Sequence, residues 1–482
     1  MKKSILALSL AGAFLFSSCE SEVTVDDATI QSIVYQAVAA VLAQLPSSTA
    51  ISSEVTQAVT TAVSTAIAQG FAGQETLSAE ELNALIQAGL AASQALTNPP
   101  IVRVGNGGIK LITEDTEWTN DKIWVMDGKV VVTEGAELSI EEGTIIKSTD
   151  NGSGADATTL IIAADGTIKA EGTAEKPIIF TAISDDIVYA NGSTSPNMSL
   201  TQRNLWGCIV VLGDDVIGRT GGTNEIEGIQ KGYDWSVYGG SNTAHNAGIM
   251  NYISIRHTGA ALSPGDELQG LTLGGVGEAT TVSNIEIIAT GDDGIEIFGG
   301  SVNVTNILIM NQLDDAIDLD EAYKGTISNA VVLMAEDSDT VFEIDGTETD
   351  DQSITGEFTV RGVSAFGLPG IVKPDTYGNW KDTATGFMDN VLYQDFPAGT
   401  TFGYISYADE NMNGISYTGA GTAPVAGDLL FRDIVVVDAT QTKAGLAKDD
   451  TDLGAATWLT VSSTVPSTGG ADLTVFEWCQ AF

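Results

Sequence analysis

The sequence predicts a mainly β protein: a parallel β-helix, a solenoid of about 22–25 residues per coil, preceded by a small amino-terminal α-helical region. Three observations carry this. "NIEIIATGDDGIEIFGG", starting at Asn284, repeats as "NILIMNQLDDAIDLDEA", starting at Asn306, a period of 22 residues. A looser copy starts at Asn329, "NAVVLMAEDSDTVFEI", and "LTL" at 271–273 supplies an earlier strand. From about residue 103 the chain consists of short β-branched runs broken by Gly, Asn and Asp, with no helical pattern between them.

Side chains alternate across a strand. The repeat therefore predicts that Leu271, Leu273, Ile295, Ile297, Ile317, Leu319, Phe342 and Ile344 stack in the core. Thr272, Glu296, Asp318 and Glu343 form a row on the outside, and Asn284, Asn306 and Asn329 form an asparagine ladder at a bend.

The preceding segments set the domain plan. Residues 1–18 have Lys2 and Lys3, an apolar run and then small residues, the pattern of a secretory signal. The run is shorter than the ~20 apolar residues a membrane span needs. Ser17 and Ser18 before Cys19 resemble a bacterial lipobox, which implies that Cys19 is lipidated and becomes the first residue of the mature chain; Phe16 departs from the usual Leu. Residues 19–102 form a helical spacer, stalk or cap: "IQSIVYQAVAAVLAQL", "SSEVTQAVTTAVSTAIAQG" and a capping box from Ser78 to Glu81 each open or sustain a helical pattern. Residues 103–440 are the β-helix, and 441–482 a tail in which Trp458, Phe476, Trp478 and Phe482 are expected to cover the last open coil.

Charge narrows the function. With 20 basic and 64 acidic residues the net charge is −44, and loss of residues 1–18 makes it more negative still. That field repels nucleic acid and polyanionic glycans and favours divalent cations. Two histidines, His245 and His257, are too few for a histidine zinc cage. Cys208 and Cys479 are the candidates for a disulfide in an exported chain.

If the repeat is one coil, Asp292 stacks over Asp314, Asp293 over Asp315 and Glu296 over Asp318, about 4.8 Å apart. Such pairs must share a proton, splay into water or hold a cation. Three readings stay open for Asp292, Asp293, Asp314 and Asp315: turn residues, ligands of calcium together with Glu296 and Asp318, or catalytic acids. Calcium suits a site of carboxylates and carbonyls in irregular geometry. "GDDGIEI" looks like the acidic motif of polygalacturonases, but no histidine-bearing or Arg/Lys-bearing companion motif follows, and the chain has six Arg. The sequence therefore favours a binding module over a sugar-cleaving enzyme. For a glycan, Tyr233, Trp235, Tyr238, Tyr377 and Trp380, expected in loops, offer stacking surfaces. A protein partner or a purely structural surface role is the alternative.

"GAELSIEEGTIIKS" (135–148), "ADGTIKAEGTAEKPIIFTA" (164–182), "LWGCIVVLG" (205–213), "YGG" (238–240), "LQGLTLGGVG" (268–277) and "GDDGIEIFGG" resemble a family of exported β-helix lipoproteins of Bacteroidetes-type bacteria, over roughly residues 103–440. The resemblance implies a right-handed β-helix, pectin-lyase-like in shape, held at the outer membrane by its lipid and exposed at the cell surface. It brings no established activity, and Cys208 stands where the family has a small residue.

The anchor is directly testable. Cys19→Ala should move the protein from the detergent-extractable membrane fraction to the soluble one, because no other segment is apolar enough to hold it; continued co-sedimentation with membranes would refute lipidation.

Overall fold

The computed structural model describes residues 98–150, 156–263, 266–347, 356–368, 376–381, 384–403, 429–438, 440–446, 456 and 458–481. Cys19 and the segments expected to be signal and helices lie outside these residues, as does Phe482.

Residues 101–462 form a right-handed parallel β-helix whose coil has three strand rows. One coil shows the order. Leu271–Gly274 lies in the first row, Thr281–Ser283 in the second and Ile285–Ile288 in the third, before Ile295–Phe298 begins the next coil. The first row stacks Leu271 on Ile295, Ile317 and Phe342, and Leu273 on Ile297, Leu319, Ile344 and Trp380. All of these are buried in one continuous core, as the repeat predicts.

Second and third rows are halves of one strand bent at a residue with positive φ. That residue is Asn284 (φ +52°), Asn306 (+57°) and Asn329 (+59°) in successive coils. Asparagine tolerates this left-handed conformation better than most residues. The amides form the expected ladder: Asn306 Nδ2 donates to Asn284 Oδ1 at 2.9 Å, and Asn329 Nδ2 to Asn306 Oδ1 at 2.7 Å.

Two segments leave the repeat. Residues 213–247 make an excursion between the first and second rows, with a short antiparallel hairpin of Asn224–Glu225 and Val237–Tyr238. It lies over the outer side of the first row. A second apolar cluster forms there from Val131, Ile161, Val210 and Leu212 of the coils with Ile217, Ile226, Trp235 and Tyr238 of the excursion.

The other segment is the tail. The solenoid continues beyond residue 440, since Leu459–Ser462 pairs with Ile434–Val437. Trp458 closes that end, stacked on Phe431 at 4.8 Å. Phe476 and Trp478 do not cover it. They lie back along the flank against Leu308, Val331 and Tyr252, where Asp472 N donates to Asn329 Oδ1 at 2.6 Å. The ladder's amides and the apolar side chains outside the third row offer that strip a better partner than the already filled last coil.

Asn306→Ala removes two ladder bonds and forces a Cβ-bearing residue without a compensating amide into the left-handed region. Chemical denaturation should show a loss of about 2–4 kcal/mol, and Asn306→Gly should recover about 1 kcal/mol of it. Equal losses for the two variants would show that the backbone conformation contributes nothing.

Candidate metal centre

The two aspartate pairs occupy the turn from the third row to the first. Gly294 follows Asp293 where the coils approach closely, and a Cβ there would lie 2.5 Å from the carbonyl oxygen of Ala316. Each buried aspartate ties its coil to the next. Asp293 Oδ1 accepts from Asp315 N at 2.8 Å, and Asp315 Oδ1 accepts from Thr340 N at 2.6 Å. Asp292 is half-buried and Asp314 exposed at the rim of the same turn. One carboxylate oxygen of Asp293 and one of Asp315 thus have a structural role, which leaves the other facing the row.

Register then brings the strand carboxylates beside the turn. Thr272, Glu296, Asp318, Glu343 and Asn379 stack in that order on the outer side of the first row. The row faces outward, as expected, yet it is not in water: Glu296 is 6% exposed because the 213–247 excursion covers this side. Oxygens of Asp293, Glu296 and Asp318 lie within 4.8 Å of one another, as do those of Asp292, Asp293 and Asp314, and those of Asp314, Asp315 and Asp339. Glu296 Oε2 and Asp318 Oδ1 are buried with no hydrogen-bond partner.

Further along, the protein supplies its own cations. Lys381 pairs with Glu343 and, at 3.5 Å, with Asp345, while Arg219 of the excursion pairs with Glu321. Among the described residues no such ion pair reaches Asp293, Glu296 or Asp318. A buried carboxylate without hydrogen bond or counter-ion is costly, so the group takes up a proton or holds a cation.

The electrostatics follow from this. Burial, reinforced by Asp314, Glu267 and Glu227, pushes the Asp292 carboxyl up to about 7. Burial and the surrounding carboxylates hold Asp293, Glu296 and Asp318 well above the usual range. Asp315 is also raised by burial, against which Thr340 and Lys381 act. An all-oxygen donor set of this kind fits a hard divalent cation, and its irregular arrangement fits calcium better than octahedral magnesium.

The other expected site residues fare differently. Tyr377 and Trp380 are core residues: Trp380 stacks inward on Ile344, and Tyr377 packs against Tyr393, Phe396 and Phe402. Tyr238 is buried over Phe298, and Trp235 is 8% exposed. Strand alternation and the excursion's own packing bury these four, so they give no stacking surface. Tyr233 alone of the five is exposed, at 40%, and its ring lies 4.8 Å from that of Trp235. Nor do the cysteines pair. Both are free and buried in separate clusters: Cys208 faces Thr272 at 3.8 Å beneath the excursion, and Cys479 lies on the flank with Phe476 and Trp478. His257 is buried, with Nδ1 2.7 Å from the carbonyl of Gln202, a structural contact.

Sequence reasoning missed Asp339, Glu227 and Glu267. Asp339 was legible in the third copy, "EDSDT", once its longer turn is allowed for. Glu227 and Glu267 belong to segments outside the repeat and carried no signal.

The raised carboxyls predict a pH dependence for the metal-free protein. The folded state keeps protons that the unfolded chain releases near pH 4, so stability falls as pH rises from about 4 to about 7 and levels off above the Asp292 value. Melting temperatures in chelator should therefore drop between pH 5 and 7.5, and Asp292→Asn with Asp314→Asn should flatten the drop. A melting temperature that rises over this interval would contradict the assignment.

Comparison with known proteins supports the same architecture. No curated protein and no solved structure matches the chain. A family model described as a pectate-lyase-like β-helix domain matches residues 110–481, nearly the whole solenoid and its tail. Its fold is compatible with carbohydrate binding or cleavage. With its three-row coil and this match, the chain belongs to the pectate-lyase-like β-helix domain family.

Proposed function

We propose that the protein is an exported, lipid-anchored β-helix of the outer membrane that binds carbohydrate at the cell surface, with calcium held in its carboxylate row. One observation carries the cation: Asp293, Glu296 and Asp318 converge within 4.8 Å while Glu296 Oε2, buried, has no partner. The lipobox-like Ser17-Ser18-Cys19 and the resemblance to exported lipoproteins of Bacteroidetes-type bacteria support the location. The β-helix family and the exposed Tyr233 support a sugar ligand. The acidic field directs the choice to neutral glycans rather than uronates, because a polyanion would be repelled. A surface protein as partner is the alternative that the same acidity allows.

A second reading, polysaccharide cleavage, has its own observation. Asp292, pushed up to about 7, is a proton donor at neutral pH, and the exposed Asp314 lies within 4.8 Å of it. An acid beside an ionised carboxylate is the arrangement glycosidases use. Against it, Asp293 and Asp315 each spend an oxygen on a neighbouring coil.

Calcium should raise the melting temperature of the Cys19→Ala protein by a few degrees over chelator, since a ligand at a hundred times its dissociation constant adds about 2.7 kcal/mol. Glu296→Gln with Asp318→Asn should abolish the rise, and magnesium should give less of it. Neutral glycans on an array should bind only with calcium, and reducing-sugar release would mark the cleaving reading instead. Identical melting temperatures with calcium and with chelator would exclude the cation.

A further inference from the structure

The excursion 213–247 crosses the first row from its end to its beginning, and its two ends are held differently. At the end of the row, Gly218 N donates to the Glu321 carbonyl at 2.6 Å and Ser301 Oγ donates to Asp215 Oδ2 at 2.5 Å. The Arg219 guanidinium pairs with Glu321, and the Tyr238 hydroxyl donates to the same carboxylate at 2.9 Å. Charge is matched there.

At the beginning of the row it is not. Glu227 of the excursion lies beside Asp292: Gln269 Nε2 stands 3.1 Å from Glu227 Oε1 and 3.5 Å from Asp292 Oδ2. Gly228 fits so closely against the 260–268 hairpin that a Cβ would lie 2.3 Å from the Glu267 carbonyl. One neutral amide therefore separates two carboxylates, with Glu267 next to them, directly above the orphaned oxygen of Glu296. Of the charges acting on Glu296, that of Glu227 acts most strongly. Repulsion opposes closure at this end unless a cation enters.

We propose that Glu227 is a further ligand of the divalent cation held by Asp293, Glu296 and Asp318, so that one ion ties the excursion to the coil. The inference rests on the cation reading given above and adds what the ion does. Tyr233, the exposed aromatic, is carried on this excursion between Glu227 and Tyr238 and is stacked on Trp235. Closing the Glu227 end fixes the position of that ring. The cation thereby makes a sugar-stacking surface rigid, which accounts for carbohydrate binding that depends on calcium without the sugar touching the ion.

Lys231 supplies the test, because it is exposed, lies four residues beyond Glu227 and is followed by Gly232. The full chain carrying Cys19→Ala is digested with a lysine-specific protease that needs no calcium, and cleavage after Lys231 is timed by mass spectrometry with calcium or with chelator. Calcium binding is measured separately by calorimetry. The expected result is at least tenfold slower cleavage with calcium. Glu227→Gln should bind calcium several-fold more weakly and, at saturating calcium, lose most of the protection. Calcium that binds the parent without slowing cleavage overturns the proposal while leaving the row as a cation site, as does a Glu227→Gln variant protected like the parent. Failure of the parent to bind calcium at all overturns the cation reading and this proposal with it.

Discussion

Parallel, in-register stacking is the constraint on which everything else in this molecule depends. A solenoid coil places each residue about 4.8 Å from its equivalent in the next coil. Whatever chemistry a position has, the structure repeats it at contact distance. For apolar positions this is simple gain, as in the column Leu271, Ile295, Ile317 and Phe342. For asparagine it is also gain, because an amide both donates and accepts; Asn284, Asn306 and Asn329 join into a ladder at the bend whose left-handed backbone they also suit. For carboxylates it is a cost, since an ionised carboxylate only accepts.

The protein meets that cost in three ways along one row. In the turn, Asp293 and Asp315 accept a backbone N–H from the following coil, which turns a repulsive stack into a chain of bonds. Toward the carboxyl-terminal end, Lys381 takes a place in the stack itself, in register with Asp345, and neutralises the acids of the coil behind it. Beside Glu321, the countercharge arrives from outside on Arg219 of the excursion. Glu296 and Asp318 lie between these solutions and share none of them, with buried oxygens that accept no bond. A position where three neighbouring acid groups are compensated and one is not is where an external cation has most to contribute.

Burial makes this matter. On a bare β-helix the outer side of the first row would be wet, and splayed carboxylates there would cost little. The excursion removes the water: it covers Val131, Ile161 and Val210 with apolar side chains and continues over the acidic part of the same row. The apolar cluster holds the cover down, and the acids beneath it lose solvation as a consequence. The same cover buries Trp235, Tyr238 and Cys208, so one segment removes three residues from the surface and presents one, Tyr233.

The sequence by itself determined the coil: its period, the inward columns, the outward order Thr272, Glu296, Asp318, Glu343, and the asparagine ladder. These are legible because they follow from strand alternation and a repeat, both local properties that survive in one dimension. It also marked Asp292, Asp293, Asp314 and Asp315 as residues whose stacking needs an explanation. Only the tertiary structure decided what surrounds them. The 213–247 excursion and the carboxyl-terminal tail have no repeat to be read against, so nothing in one dimension says that the first lies over the acidic row or that the second runs back along the flank. For that reason Glu227, Glu267 and Arg219 went unseen, Tyr377 and Trp380 proved to be core residues, and Cys208 and Cys479 came to rest in separate clusters. Burial is a property of the covered surface, and the segments that do the covering are the ones whose paths the chain's periodicity does not encode.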